Sequence, residues 1–386
     1  MQEMKKQVKR HRTPGLAARI CAACLAAGML LQLPATAALP GTLTALAAQK
    51  TDYSRYSSAK HDWYIRRAKN HEKAGGGIPA GIKLSDYDSY YMNVKTDEKV
   101  IYLSFDCGYE NGYTNQILKT LKKHKAKAVF FVTKDFIKKA PKLVTKMKEQ
   151  GHLVGNHTCT HPDLSQKSPE QIKKELVDCA KAMKDATGYE MDPFLRPPMG
   201  CFSERSLKVA QDLGYKTIFW SMAYYDYDAD NQPGKDYVVK HFKDNYHKGA
   251  LPLIHATSSS NCEALDEVLT FLEGKKYRFG TLDEFALPKG TLKISCKSKV
   301  YDGKPAKIKI VKNTNKNATV TFTIKNEKGK RVKEAIEPGA YTVVAHVESS
   351  RTYRFTTSNR VRFRIQEKLQ ISKGYYHQNE GKHTKK

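Results

Sequence analysis

From Val100 onward the chain alternates short apolar runs with longer amphipathic segments, and this alternation restricts the possible folds more than any other feature. The apolar runs are rich in β-branched and aromatic residues, which is typical of strands. They occupy 100–105, 128–133, 152–157, 194–198, 217–222, 251–256 and 279–282. Apolar strands that are each followed by a helix indicate a parallel sheet covered by helices. The repeats fit either a barrel or an open, doubly wound sheet, and both are α/β folds.

The segments between these runs carry helix signals. The clearest helix is predicted at about 169–186, where Ser168 can cap the first turn, Pro169 suits its first position, and apolar residues recur on one face. Further helices are predicted at 114–124, 141–150, 204–213, 237–246 and 264–273.

The regions that flank this α/β unit have a different composition and a different spacing of apolar residues. Residues 49–95 are rich in Tyr, Lys, Asp and Gly, and they are predicted to form an irregular extension ahead of a domain at 96–288. After Pro288 the apolar period changes to two, which predicts a small all-β sandwich over 289–366, similar to immunoglobulin-like modules of secreted proteins. The polar residues 367–386 are predicted to be a disordered basic tail.

The N-terminus has the three-part pattern of a secretory signal peptide, which we assign to residues 1–48. A basic region between Lys5 and Arg12 precedes an apolar stretch from Ile20 to Leu33, and small residues follow. This apolar stretch is short for a membrane span, which favours cleavage and a secreted, cell-wall-associated protein. The alternative is an uncleaved anchor, which would hold the protein at the membrane.

The net charge is the strongest compositional signal. The chain has 67 Lys and Arg against 39 Asp and Glu, a net charge of +28, and residues 291–386 account for 16 of this surplus. A polyanionic partner is therefore expected: nucleic acid, anionic lipid or an acidic cell-wall polymer. The export signal argues against nucleic acid. The basic sandwich is interpreted either as a contact with anionic wall polymers or as a spacer with a solvated face. Eight cysteines are too few for a disulfide-stapled scaffold.

Chemically active side chains follow several predicted strands at one edge of the sheet. Asp106 ends the first strand, His157 and His161 follow the third, Arg196 follows the fourth and His255 ends the sixth. The carboxyl ends of parallel strands meet at the same edge, so these side chains are expected to converge. Two histidines four residues apart on a helical turn can hold a divalent metal, although this spacing alone more often marks a surface or core pair.

Four short motifs resemble, in order and spacing, those of the polysaccharide deacetylase superfamily, the NodB-homology domains. They are SFDCG at 104–108, HTCTH at 157–161, RPPMG at 196–200 and LIH at 253–255. Longer stretches, such as FDCGYENGYT from Phe105 and GHLVGNHTCTHPDL from Gly151, are similar to the muramic-acid deacetylases, which include the delta-lactam-biosynthetic enzymes of the spore cortex. The resemblance covers about 96–288 and implies a distorted seven-stranded parallel (β/α) barrel.

The resemblance implies metal-dependent hydrolysis of N-acetyl groups. His157 and His161 match the metal-ligand histidines of the family, and Asp106 matches the general base that takes a proton from the attacking water. His255 matches the general acid that protonates the leaving amine, and Arg196 matches the arginine that holds the base. A divalent metal, expected to be Zn²⁺, would generate a nucleophile at neutral pH, and His titrates near the working pH.

The sequence departs from the superfamily pattern at two positions. Cys107 stands where most members have a second, metal-ligating Asp, although the muramic-acid members also lack Asp here. Its thiolate either binds zinc, which accepts sulfur ligands, or is a small buried residue. Ala223 stands where many relatives have Asp. Asp226, the nearest acid, is interpreted equally as orienting His255 or as a solvated loop residue. Cys159 is interpreted as a packing residue.

The expected function is deacetylation of peptidoglycan glycan strands on N-acetylmuramic acid, in the manner of the spore-cortex enzymes. The resemblance also implies a preference for strands that an amidase has already stripped of stem peptide. Two alternatives remain open. One is the same reaction on N-acetylglucosamine or chitin-type polymers, and the other is a catalytically silent cell-wall-binding protein whose metal site is spoiled by Cys107.

Overall fold

The computed structural model describes residues 51–316, 318–347 and 352–368. The predicted signal segment at 1–48 and all but two residues of the predicted tail lie outside these ranges. Among the described helices, none combines the length and apolar character needed to cross a bilayer.

Seven parallel strands form the central sheet. In chain order they are β1 (Ser89–Tyr90), β2 (Leu103–Cys107), β3 (Ala128–Val132), β4 (Leu153–Asn156), β5 (Phe194–Leu195), β6 (Lys216–Ile218) and β7 (Leu253–His255). Their order across the sheet is β7-β2-β3-β4-β5-β6-β1, and each neighbouring pair is parallel. The sheet curls into a half-barrel, which confirms the predicted α/β fold with a distorted seven-stranded parallel barrel.

Helices follow these strands. They are α1 (Thr114–Lys123), α2 (Lys134–Lys139), α3 (Pro141–Glu149), α4 (Pro169–Thr187), α5 (Glu204–Asp212), α6 (Lys235–Asn245), α7 (Ser259–Gly274) and α8 (Asp283–Ala286). Helices α1 and α3–α7 overlap the six predicted helices, whereas α2 and α8 were not predicted. The capping signals explain the boundaries. Ser168 forms a capping box with Gln171 at the start of α4, and the left-handed Gly188 ends that helix. Helix α7 begins earlier than predicted because Ser258 caps it.

One strand of the central sheet comes from the segment that was predicted to be an irregular extension. Strand β1 pairs with β6, with Ser89 beside Thr217. The predicted seventh strand at 279–282 instead contributes Arg278–Phe279, which pairs with Val100–Ile101 outside the central sheet. Two-residue strands contain too little periodicity for recognition from sequence.

The rest of the N-terminal segment is tied to the fold by short contacts. His61–Asp62 pairs with Cys201–Phe202, and Ile65–Arg66 pairs with Gly75–Gly76. Trp63 is buried between these pairs, so the segment contributes an apolar anchor to the half-barrel. Single 3₁₀ turns lie at Tyr53–Arg55, Leu84–Tyr87, Leu164–Gln166 and Pro198–Gly200.

Side chains of β2 alternate between the two faces of the sheet, as a strand requires. Leu103, Phe105 and Cys107 pack into the largest apolar cluster, which they share with side chains of α1 and α7. Ser104 and Asp106 therefore point to the opposite face, the interior of the half-barrel. This alternation decides which of the two adjacent residues at the end of β2 can reach a site inside the barrel.

The C-terminal region consists of two packed sheets. Leu292–Cys296 pairs antiparallel with Ile308–Asn313. The larger sheet contains, in spatial order, Lys299–Val300, Val361–Gln366, Gly339–Val347, Val320–Asn326 and Arg331–Val332, with Thr356–Thr357 beside the third of these. Their inner faces share one apolar cluster that includes Ile294, Val343 and Phe363. The predicted two-layer β arrangement is present, and its immunoglobulin likeness stays a prediction.

Candidate active site

A cavity of about 730 Å³ opens at the carboxyl ends of the central strands. Four of the residues predicted from the strand ends line it, namely Asp106, His157, His161 and His255. Arg196 lies fully buried behind them. The other walls are mainly apolar or aromatic and include Tyr109, Pro197, Met199, Trp220, Tyr227 and Leu253. The structure thus brings together the residues that the sequence placed on four different strand ends.

Asp106 is held by a buried ion pair. Its Oδ1 atom accepts a hydrogen bond of 3.1 Å from Nη1 of Arg196, while Oδ2 lies 3.6 Å from Nε2 of His157. The Arg196 Nη2 group donates to Oγ of Ser104 at 2.8 Å, and Ser104 donates in turn to the Pro252 carbonyl at 2.6 Å. One carboxylate oxygen is therefore fixed in place, and the other faces the histidines.

The guanidinium of Arg196 is locked by its surroundings. Its Nε group donates to the Ile218 carbonyl at 2.6 Å. The aromatic rings of Phe131 and Trp220 lie 4.5 and 5.4 Å from the guanidinium carbon. Burial lowers the pKa of Arg196, and the charge of Asp106 opposes this shift. An arginine remains protonated even so, because its ordinary pKa is very high.

His157 presents an unprotonated nitrogen to the cavity. Its Nδ1 group lies 2.8 Å from the Arg196 carbonyl, which can only accept, so the ring proton sits on Nδ1 and the Nε2 lone pair is free. Burial lowers the pKa of His157 to about 4, and the ring is neutral at pH 7. Burial also lowers the pKa of His161, whose ring centroid lies 4.8 Å from that of His157.

The two histidines are brought together by a loop, and the predicted helical turn at HTCTH is wrong. Thr158 and His161 both have positive φ, at 71° and 57°. The loop is held by its own polar groups: the Thr158 amide donates to Oδ1 of Asn156, and the His161 amide donates to Oγ1 of Thr158. These contacts bend the chain so that both rings reach the cavity.

His255 is oriented by Asp226, which resolves the role that the sequence left open. Nδ1 of His255 donates to Oδ1 of Asp226 at 2.7 Å, and the His255 amide donates to Oδ2 at 2.8 Å. Asp226 is fully buried, so it is no solvated loop residue. Burial alone would lower the pKa of His255, but the Asp226 charge and hydrogen bond outweigh it and raise that pKa above its ordinary value.

Two residues that sequence reasoning missed extend this contact. Asn261 donates from Nδ2 to Oδ2 of Asp226 at 2.7 Å and to the His255 carbonyl at 3.0 Å. Its Oδ1 accepts a hydrogen bond of 2.6 Å from the Tyr224 hydroxyl. Burial raises the pKa of Tyr224 well above its usual range, so the phenol remains a donor. The sequence signal was Ser258, whose cap places Asn261 in the first turn of α7.

Cys107 lies outside the cavity. Its thiol is buried in the apolar cluster on the helix side of the sheet, and burial raises its pKa well above the usual range. This placement agrees with the small buried residue and corrects the tentative assignment of Cys107 as a thiolate ligand, because strand alternation turns it away from Asp106. Cys159 lines the cavity beside the histidines and also contacts Cys179 of α4.

The side chains present fit a divalent metal in part. Two neutral imidazoles with adjacent rings are suitable ligands, and the free Nε2 of His157 faces the cavity. Over the described parts of the chain, however, no three His, Cys, Asp or Glu side chains are placed to hold an ion together. A metal bound by His157 and His161 would thus keep positions open for water and substrate.

Comparison with known proteins agrees with this geometry. Residues 93–218 match the family model for polysaccharide deacetylase. A peptidoglycan-N-acetylmuramic acid deacetylase from Bacillus subtilis, PdaA, is 42% identical over 228 residues, which is 59% of this chain and 86% of that protein. The chain belongs to the polysaccharide deacetylase family. It is therefore a hydrolase, and the predicted family membership is confirmed.

Other members show the same relationship. The solved structure of PdaA from Bacillus subtilis, described as a family 4 carbohydrate esterase, has a TM-score of 0.57 and 41% identity, covering 59% of this chain and 97% of that one. A peptidoglycan-N-acetylglucosamine deacetylase from Bacillus cereus is 33% identical over 195 residues, which is 50% of this chain and 90% of that protein.

Proposed function

We propose that this enzyme removes N-acetyl groups from N-acetylmuramic acid in peptidoglycan glycan strands, outside the cytoplasm. The observation that carries the proposal is the pairing of an arginine-held carboxylate with an aspartate-held imidazole. Asp106 and His255 are register partners on adjacent strands, and both line the same cavity. A base and an acid on neighbouring strands suit the hydrolysis of an amide, which needs a proton removed at one point and delivered at another.

The residues act in sequence on the bound acetamido group. Asp106 accepts a proton from the water that attacks the acetyl carbon, and Arg196 keeps the Asp106 carboxylate oriented toward that water. His255 is protonated and delivers its Nε2 proton to the sugar nitrogen as the carbon–nitrogen bond breaks. The products are acetate and a free amine. The Asp226 contact favours the protonated form of His255, which this second step requires.

His157 and His161 would hold the divalent cofactor, which we propose to be Zn²⁺. When bound, such an ion lowers the pKa of water and stabilises negative charge on the acetyl oxygen. Both imidazoles are neutral and so can bind the ion, because burial lowers the pKa of each. The Arg196 carbonyl fixes the His157 tautomer that leaves Nε2 available.

The cavity mouth suits a sugar polymer. Tyr109, Met199 and Tyr227 line it and are each at least two-fifths exposed. Flat apolar surfaces of this kind pack against sugar rings. The name of the Bacillus subtilis relative supports muramic acid as the target. The name of the Bacillus cereus relative favours the second candidate, N-acetylglucosamine in peptidoglycan.

The test is acetate release from purified glycan strands, with and without stem peptides, followed by mass spectrometry of the fragments. We expect acetate from peptide-free strands, and fragments in which muramic acid carries a free amine in place of its N-acetyl group. Loss from glucosamine alone would replace the proposal by its alternative. Treatment with a chelator should abolish acetate release, and added Zn²⁺ should restore it; activity that survives complete metal removal would refute the cofactor assignment.

A further inference from the structure

The outer face of the larger C-terminal sheet carries cations in a single register. Lys325 lies opposite Arg331 on one neighbouring strand and opposite Thr342 on the other. Thr342 in turn lies opposite Arg362. Neighbouring strands are separated by about 4.8 Å, so this register crosses four strands within a short distance. We call Lys325, Arg331 and Arg362 the cationic row.

The row points away from the apolar core. Residues that alternate with it, including Ile324, Val343 and Phe363, are buried between the two sheets. Side chains of successive strand residues point to opposite faces. The three cations are accordingly exposed. Arg364 follows Arg362 on the same face, opposite Ala340, and adds a fourth positive charge.

The row has no acidic counterpart. Within residues 318–347 and 352–368, no ion pair joins any of its three members to Asp or Glu. The hydrogen bond that Arg331 makes is a long one of 3.5 Å to Oγ1 of Thr323. Like charges directly opposite each other on adjacent strands destabilise a sheet. An anionic ligand that bridges Lys325, Arg331 and Arg362 would remove this repulsion.

The residue types indicate the chemistry of that ligand. Arginine has a planar fork that binds phosphate through two hydrogen bonds, and two of the three members of the row are arginine. The outward strand positions within 320–326, 339–347 and 361–366 carry no Phe, Tyr or Trp. The aromatic stack on this face, His346 on Phe355 at 5.8 Å, lies four residues along the strand from Thr342. Proteins that bind single-stranded nucleic acids use such rings to stack the bases. The cationic row itself therefore suits phosphates without bases.

We propose that the cationic row is a binding site for a polyol-phosphate polymer, a chain of phosphodiesters without bases. Such a polymer presents negative charges at regular intervals, and the row presents three positive charges across four strands. The site lies in the C-terminal sheets and does not depend on the deacetylation proposed for the barrel. It would hold the enzyme on a phosphate-rich wall while the barrel acts on glycan.

The chain offers a matched control on the other outer face of the same region. Lys293 lies directly opposite Lys312, and Lys309 lies opposite Ser295. These three lysines are exposed as well. Replacing these three lysines removes the same charge as replacing the cationic row, but it changes no arginine and no residue of the larger sheet. The two triple variants thus separate a defined site from a general effect of net charge.

The experiment is calorimetric titration of the intact protein with poly(glycerol phosphate) of defined length at several salt concentrations. The variant K325Q/R331Q/R362Q should weaken binding about tenfold or more and should reduce the slope of log K against log salt by roughly 2, since three phosphate contacts are lost. The variant K293Q/K309Q/K312Q should change affinity less than about twofold. Acetate release and thermal unfolding should match wild type in both.

Several results would overturn the proposal. Equal weakening in the two triple variants would reduce the effect to net charge, and unchanged binding in the first variant would remove the site. Tighter binding of single-stranded DNA or of polyglutamate would assign the row to bases or carboxylates instead. Binding to phosphatidylglycerol vesicles alone would assign it to membranes. Should the triple variant unfold, R331K/R362K keeps the charge, and its expected weakening tests the arginine forks.

Discussion

At the scale of single residues, the position of a side chain on its strand decides its chemistry. Asp106 and Cys107 are neighbours at the end of β2, yet the carboxylate lines the cavity and the thiol lies in the apolar core. Sequence predicted Asp106, His157, Arg196 and His255 correctly as neighbours because parallel strands end at one edge. Strand alternation, applied to Asp106 as the inward residue, also accounts for Cys107 lying on the helix side of the sheet.

Replacing Asp106 by Asn should reduce acetate release by about a hundredfold or more, because the general base is lost while the shape is kept. Asn can still receive the hydrogen bond from Arg196, so the fold should survive. Acetate release and circular dichroism measure the two effects separately. Full activity in D106N would remove Asp106 from the mechanism. His157→Ala should also abolish acetate release without unfolding the protein.

Replacing Cys107 by Ser should leave metal affinity unchanged, because the thiol lies away from the cavity. The hydroxyl would be buried among apolar side chains, which costs on the order of 1–3 kcal/mol of unfolding free energy. Zinc titration with a competing chelator and urea unfolding measure these two quantities. A marked loss of zinc affinity in C107S, at constant fold, would restore the cysteine as a ligand.

Replacing Asp226 by Asn should move the alkaline limb of the pH–activity profile to lower pH. The charge of Asp226 raises the pKa of His255, so the variant loses the protonated acid at a lower pH than wild type does. Activity at neutral pH should fall roughly tenfold to a hundredfold, as is typical when general acid catalysis is impaired. An unchanged alkaline limb in D226N would show that a group other than His255 determines that limb. Asn261→Ala should shift the limb less, since Asn261 is uncharged and the Asp226 carboxylate remains beside His255.

At the scale of elements, sequence located the long helices and the buried strands but missed the strand at one edge of the central sheet. Helix α1 begins where periodicity predicts, and α4 and α5 begin directly after the serine caps Ser168 and Ser203. Strand β1 was missed because two residues contain no periodic signal. Its pairing with β6 is decided by tertiary contacts. Residues 51–95 also contact a wall of the active site, because the Trp63 indole donates to the Trp220 carbonyl at 3.0 Å.

Replacing Trp63 by Ala should lower the unfolding free energy by about 3–5 kcal/mol, because a large buried ring is removed. The ring stacks on Phe219 at 4.5 Å, and Trp220 next to it lines the cavity. We therefore expect acetate release to fall together with stability. The control is Tyr64→Ala, one position on, whose side chain is 58% exposed. Equal stability of W63A and wild type would mean that the N-terminal segment is dispensable.

At the scale of the whole molecule, buried histidines couple folding to pH. Burial lowers the pKa of His152, His157 and His241 to about 4 in each case, and their ordinary value is 6.5. The unfolded chain therefore binds more protons than the folded chain between these two pH values. Stability that is complete above pH 6.5 is lost as the pH falls toward 4. His255 opposes this trend, because its pKa is raised.

The unfolding free energy should accordingly fall between pH 7 and pH 5, by roughly 2 kcal/mol for each of the three histidines. Urea unfolding at both pH values, in buffer free of divalent metals, measures the difference. His241 tests the origin of the effect, because its ring packs 4.7 Å from that of Tyr224 and lines no part of the cavity. The variant H241F should lose about a third of the pH dependence. A free energy that stays constant or rises on acidification would contradict the neutral, buried state of these rings, and with it the readiness of His157 to bind a metal.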